Sequence, residues 1–247
     1  MACMRPTDLP PPPAWSDHWA LFLDVDGTLL DVADAPHQVH VDPAMLDALD
    51  TLHGRLGGAL ALVSGRSLEQ IDHLFSPLRL PAAGLHGLEH RDDAPFARPP
   101  TPLRTLRGEA RSVALRHPGA VVEDKGATIA LHWRGNPQAE PALRSLVEAA
   151  MAWLPGYRLQ EGDHVLEVRP QGDNKGAAVG RMLDQPPFAG RTPVFVGNDH
   201  TDEDGFDAVL AHGGIAVLVG DRQPSRAAHR LASPADVRAW LARNARA

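Results

Sequence analysis

Two carboxylates two positions apart close an apolar run: Asp24 and Asp26 in Leu21-Phe22-Leu23-Asp24-Val25-Asp26-Gly27-Thr28. On an extended chain, side chains at i and i+2 point the same way, so both can serve one reacting group. Held against a divalent cation, Asp24 can attack a phosphoryl group and carry it as an aspartyl phosphate. Asp26 can protonate the leaving alkoxide and then deprotonate the water that clears the intermediate. Gly27 and Thr28 allow a turn that brings backbone N–H groups to a phosphate. The same residues also suit a plain turn or a calcium loop. A calcium loop, however, is normally polar and wants further carboxylates at fixed offsets, which are missing here.

Three later segments carry groups that such chemistry needs. Ser64-Gly65-Arg66 offers a hydroxyl for a phosphate oxygen, although Ser64 or Ser67 could equally cap the helix that follows. Asn174-Lys175-Gly176 places an ammonium ahead of Ala177–Leu183, where a lone lysine is more often solvated than catalytic. Gly197-Asn198-Asp199-His200-Thr201-Asp202-Glu203-Asp204 is either an acidic helix start or a metal site.

The elements that must position these groups follow from periodicity. Residues 20–30, 59–66 and 192–199 are apolar runs that end in small or polar residues, as parallel strands do when their carboxyl ends form a site. Residues 214–220 read as another core strand. Between them, residues 43–56 put Met45, Leu46, Leu49, Leu52 and Leu56 on one helical face, and residues 67–78 do the same with Leu68, Ile71, Leu74 and Phe75. A terminal helix is predicted from Pro234. Alternation of strand and helix implies a doubly wound parallel sheet.

Residues 101–170 break this rhythm. A helix over 102–116 leads to hairpins at 121–134 and 157–170, separated by a helical stretch, 141–154; this is a small α+β insert of order αββαββ. The predicted organisation is a flexible arm over residues 1–17, a core of 18–100 and 171–247, and the insert.

Bulk composition narrows the function. The 247 residues carry 24 Lys plus Arg against 31 Asp plus Glu, a net charge of −7 that argues against nucleic acid. The single cysteine, Cys3, excludes an intrachain disulfide and a multi-cysteine metal cluster, and fits the cytoplasm. No apolar run is long enough to span a bilayer, and prolines stand where a signal peptide needs an apolar core.

The order of the four pieces, Asp24-x-Asp26-Gly27-Thr28, Ser64, Lys175 and the acidic loop, resembles the haloacid dehalogenase superfamily. The resemblance implies Asp24 as nucleophile, Asp26 as general acid and base, and Ser64 and Lys175 as groups that neutralise the transferring phosphoryl. Gly65 and Arg66 are then expected to bind substrate. It implies Mg2+ held by Asp24, the Asp26 carbonyl and the loop, with Asn198, Asp199 and Asp202 as candidates. The dehalogenase branch lacks the second aspartate, which favours phosphoryl chemistry.

Spacing locates the substrate-selecting insert. Asp24 to Ser64 covers 40 positions and Ser64 to Lys175 covers 111, so the cap lies in the second gap, as in the sugar-phosphate phosphatases of the superfamily. Within it, Glu123 and Lys125 share one strand face, His132 and Arg134 share another, and Glu167 stands opposite Leu166 and Val168. Such a set is either a solvated sheet surface or a reader of sugar hydroxyls.

LFLDVDGTLL, LVSGR, AGLHGLEHR, VEDKGATIALHWR, LEVRP and GNDHTDEDGF, in that order, resemble trehalose-6-phosphate phosphatases. That family's substrate, trehalose 6-phosphate, is then expected to meet Glu123, Lys125 and Glu167, with Arg134 beside them. His86 and His90 have the i, i+4 spacing of a zinc pair, but Gly87 between them argues against a rigid helix. Many relatives have Gly-Asp-Asp where this chain has Gly197-Asn198-Asp199. Asn198 can coordinate but brings no charge. The alternatives are a phosphatase of another sugar phosphate, or a weakly catalytic sensor that binds trehalose 6-phosphate.

Overall fold

The computed structural model describes residues 9–31, 41–91, 100–171 and 174–246. The chain divides into two compact units, one of Met1–Asp93 with Asp173–Ala247 and one of Ala94–Gly172.

The first unit is built on β1 (Trp19–Leu23), α1 (Pro43–Arg55), β2 (Leu60–Val63), α2 (Leu68–Phe75), β3 (Ala82–Gly84) and β4 (Glu89–His90). After the second unit it resumes with α5 (Lys175–Leu183), β9 (Thr192–Gly197), α6 (Asp202–Ala211), β10 (Ile215–Val219), β11 (His229–Leu231) and α7 (Pro234–Arg246). Its seven strands run in the order β11-β10-β9-β1-β2-β3-β4, parallel throughout except for the β3–β4 pair. Strands β1, β2 and β9 are buried along their length apart from Thr192, which explains why they read as continuous apolar runs rather than alternating ones. From β1 the chain steps to β2 on one side and later returns to β9 on the other. With right-handed crossovers, that reversal sends helices to opposite faces. Consistently, α1 packs with α7 and α5 with α6.

The arm expected over residues 1–17 is corrected for its described part. Arg230 N donates to Pro10 O at 2.9 Å, and His229 Nδ1 lies 2.9 Å from Pro11 O, so the proline-rich backbone runs beside β11. The Trp15 ring is centred 5.2 Å from Trp19 and 5.5 Å from Trp240. Prolines exclude a helix here, but an extended segment can still dock through its carbonyls and an aromatic anchor. Residues 1–8, Cys3 included, lie outside the described residues.

The second unit contains α3 (Thr101–Arg116), β5 (Val121–Asp124), β6 (Ile129–His132), α4 (Glu140–Met151), β7 (Tyr157–Gly162) and β8 (Val165–Pro170). Its antiparallel sheet has the order β5-β6-β8-β7. Leu103, Leu106 and Ala110 of α3 and Leu143 and Val147 of α4 share one core with Ile129, Leu131, Leu166 and Val168. Period-2 alternation puts Glu123, Ala130, Glu167 and Gln160 on the other sheet face, directly opposite one another across the four strands. Among the described residues, no helix is long and apolar enough to cross a membrane.

Candidate active site

Asp24 directly follows β1, the strand at which the sheet order reverses, and ligands of open α/β sheets bind outside the carboxyl ends of strands at such a point. Its N–H donates to Val196 O of β9 at 3.0 Å, so the parallel ladder holds the backbone as far as the carboxylate. The side chain is buried, with the residue 4% exposed.

Lys175 is the first residue of α5, whose N-cap Asn174 accepts from Ala177 N at 2.7 Å. Its ammonium, 2% exposed, donates to Asp24 Oδ1 and to Asp202 Oδ1, both at 2.7 Å. Asp202 opens α6 and is 0% exposed. Its second oxygen accepts from the backbone N–H groups of Asn198 at 2.8 Å and Asp199 at 2.9 Å. Asp202 therefore ties the lysine to the loop after β9. Asp199 Oδ1 accepts instead from Thr201 N and Oγ1, at 2.7 and 2.6 Å.

Burial dominates the electrostatics of this group. It pushes the Asp24 carboxyl up to about 8, helped by the Asp202 charge and opposed by Lys175. Asp202 is likewise raised by burial. Burial alone would lower Lys175, but Asp202, Asp24 and Asp199 outweigh it and hold the ammonium above its ordinary value. Asp199 is held below the usual range because Lys175 and the Thr201 hydrogen bonds overcome its own desolvation. Two buried carboxylates thus share one ammonium.

On the other side of Asp24 stands Asn198. Turned so that its amide nitrogen meets acceptors, it donates to Asp24 Oδ2 at 3.1 Å, the Asp26 carbonyl at 2.9 Å and Thr28 Oγ1 at 3.1 Å. Gly27, at φ 81°, lets the chain turn here, and a Cβ on it would collide with the Asn198 amide. Among the described residues, no three His, Cys, Asp or Glu side chains gather as a metal cluster. The set at Asp24 is of another kind: a carboxylate oxygen and a backbone carbonyl that meet at the Asn198 amide, whose own oxygen can join them when the amide turns over. Hard oxygens of this sort, few in number, suit a small divalent cation that keeps water and substrate oxygens as its other ligands.

Asp26 turns its side chain, 40% exposed, to Arg66, which donates through Nε at 2.7 Å and Nη2 at 2.6 Å. Arg66, expected to bind substrate, is thus engaged with Asp26. Ser64 directly follows β2 and is nearly fully buried, and its hydroxyl accepts from Arg66 N at 3.1 Å. The helix cap it competed for belongs to Ser67, which forms a reciprocal capping box with Gln70. Gly65 lies between them.

In the second unit, Lys125 Nζ lies 3.6 Å from Glu123 Oε2 and 3.7 Å from Glu167 Oε1, with Ala130 leaving space between the acids. His132 joins Glu123 at 3.2 Å. Arg134 stands apart: at 61% side-chain exposure it pairs with Asp163 beyond the strand ends. Sequence reasoning missed Arg169, the bulkiest fully buried side chain among the described residues, which donates to Gln160 at 3.1 Å on the Glu167 face. Its i+2 spacing from Glu167 was the available signal.

A profile of the trehalose-phosphatase family matches residues 22–235. A probable trehalose-phosphate phosphatase of Sinorhizobium fredii is 44% identical over 213 residues, covering 85% of this chain and 80% of its own. The trehalose-6-phosphate phosphatase of Escherichia coli is 41% identical over 233 residues, covering 93% and 87%. Among solved structures, a trehalose-6-phosphate phosphatase related protein superposes with TM-score 0.75 at 26% identity, covering 92% of this chain and 96% of that one. The C-terminal domain of the C. albicans trehalose-6-phosphate phosphatase shares the fold, with TM-score 0.74 at 20% identity and 93% and 92% coverage. By the extent and identity of these matches, the chain belongs to the trehalose-phosphatase family.

Proposed function

We propose that the protein hydrolyses trehalose 6-phosphate to trehalose and phosphate, with Asp24 as nucleophile. The observation that carries this reading is the Asp24 carboxylate at the sheet's switch point, one oxygen on Lys175 and the other on the Asn198 amide, which also meets the Asp26 carbonyl. An Asp24 oxygen bonds to phosphorus as the bond from phosphorus to the sugar oxygen breaks, and Asp26 gives that oxygen its proton. Asp26 then takes a proton from water, whose oxygen attacks phosphorus and releases Asp24 and inorganic phosphate. For this the Asp26–Arg66 pair must open, freeing the carboxyl group for protons and the guanidinium for substrate oxygens. Lys175 and Ser64 offset charge on the transferring group.

Asp24, the Asp26 carbonyl and Asn198 would hold Mg2+, with Asp199 and Asp202 shaping the loop around it. When bound, the ion supplies the positive charge that lets a phosphate dianion approach a carboxylate. Glu123, Lys125 and Glu167 would read the sugar hydroxyls. The cytoplasm suits a chain with one cysteine.

The test is phosphate release with magnesium from trehalose 6-phosphate, glucose 6-phosphate and sucrose 6-phosphate. Selective turnover of the first is expected. Equal rates on all three would sink the disaccharide assignment, and saturable binding without release would make the protein a sensor.

A further inference from the structure

Two consecutive non-glycine residues after β3, Leu85 at φ 49° and His86 at φ 57°, occupy the left-handed region. For leucine this is an outlier, and such residues persist where their surroundings over-determine them. The surroundings here are two elements of the proposed phosphate site. On one side, Leu85 N donates to Arg66 O and His86 N to Ser64 O, each at 2.8 Å, so the strained turn grips both residues flanking Gly65. On the other, Arg181 of α5 donates to Gly87 O at 2.8 Å, and a Cβ on Gly87 would lie 2.5 Å from the carbonyl of Asn174, the cap of the helix that begins with Lys175. The turn is wedged between the serine and the lysine.

The His86 ring lies over Gly65. A Cβ at Gly65 would stand 2.6 Å from His86 Nε2 and 2.7 Å from Cε1, closer than packed atoms approach. Only glycine lets the ring and the Ser64–Arg66 turn meet. We propose that His86 is a positioning residue of the phosphate subsite, its ring and left-handed backbone holding the Ser64-Gly65-Arg66 turn at a fixed distance from Lys175. This rests on the phosphatase reading above. A displaced turn misplaces the hydroxyl and guanidinium for every phosphate ester, whatever its alcohol, whereas loss of a sugar-reading residue affects the disaccharide alone.

The experiment uses the full chain with magnesium and four variants: Gly65→Ala, His86→Gly, His86→Asn and the double Gly65→Ala/His86→Gly. Glycine and asparagine both tolerate the left-handed backbone, so the variants at 86 isolate the ring. Calorimetric affinity for inorganic phosphate is read beside kcat and KM on trehalose 6-phosphate and on an aryl phosphate. Gly65→Ala and His86→Gly should each weaken phosphate binding about tenfold and lower kcat/KM equally on both esters, since small misplacements near reacting groups are costly. His86→Asn should recover part of the loss. The double variant should bind phosphate better than Gly65→Ala alone, because the ring it strikes is gone. Unchanged phosphate affinity in His86→Gly, or a double variant no better than Gly65→Ala, overturns the role of the ring. Failure of the parent to hydrolyse either ester defeats the phosphatase reading itself, a result separate from these comparisons.

Discussion

Asp24→Asn should abolish turnover and, in the metal-free protein, raise stability. Asp24, Asp202 and Lys175 are 4%, 0% and 2% exposed, so with both carboxylates ionised the core would carry one negative charge without a buried counterion. That excess is why burial lifts Asp24 from 3.8 to about 8 despite the lysine. A raised carboxyl pKa means the folded protein holds a proton that the unfolded chain releases. Its stabilising contribution is therefore full below pH 3.8 and is lost as pH rises from about 4 to about 8.

One proton is worth about 1.36 kcal/mol per pH unit, so between pH 5 and 8 the parent loses up to ~4 kcal/mol that an uncharged residue does not. Relaxation and water entry around a buried charge reduce this to about half, some 2 kcal/mol, or roughly 4–8 °C in a protein of this size. The amide keeps the shape of the site: its oxygen can accept from Lys175, and its nitrogen can donate to Asn198 after that amide turns over. The assay is thermal unfolding of both proteins in EDTA at intervals from pH 5 to 8.5. The gap in favour of Asp24→Asn should widen as pH rises, and magnesium should stabilise the parent more than the variant. A gap that is constant with pH, or a variant less stable at pH 8, would refute the claim of an uncompensated charge.

Three other substitutions test separate parts of the site. Lys175→Met leaves Asp24 and Asp202 facing each other without a cation, and should cost about 3–5 kcal/mol in urea unfolding as well as activity. Asn198→Asp should lower the magnesium concentration for half-maximal hydrolysis several-fold, because a carboxylate then stands beside Asp24; Asp199→Asn and Asp202→Asn should raise it, and magnesium titration at saturating substrate reads all three. Lys125→Ala and Glu167→Ala should reduce kcat/KM on trehalose 6-phosphate at least tenfold more than on an aryl phosphate, since distant sugar contacts contribute to the transition state only when a sugar is present. Equal losses on both substrates would make these residues supports of the sheet.

The strands that lead to Asp24, Ser64 and Asn198 were legible because buried parallel strands are near-continuous apolar runs, and polar residues follow directly at their ends. The insert was legible from turn residues and alternation. The edge strand β11 was not: His229-Arg230-Leu231 has one apolar residue, and its pairing is dictated by β10 and by Pro10 rather than by its own sequence. The same blindness to long-range partners made residues 9–17 read as an arm, because proline content describes local conformation and says nothing of a tryptophan cluster built from Trp15, Trp19 and Trp240. Arg66 was readable as a cation near a phosphate, but its grip on Asp26 joins two strand ends 40 positions apart, and no spacing rule reports that.

The site's charge arrangement accounts for the departure at position 198. The path of the loop after β9 is fixed by Asp202, which accepts the backbone N–H groups of both Asn198 and Asp199. The side chain at 198 therefore does not have to hold the loop in place and is free to set local charge. With asparagine there, the amide can donate to Asp24 Oδ2 and the Asp26 carbonyl while no ion is bound, and it adds no charge to the buried group. The same amide can present its oxygen to a cation. A carboxylate at 198 would bind the ion more tightly but would add a second charge beside an already raised Asp24, making the metal-free fold pay for metal affinity. In the proposed metal site, asparagine at 198 thus gives weaker metal affinity in exchange for less charge beside Asp24.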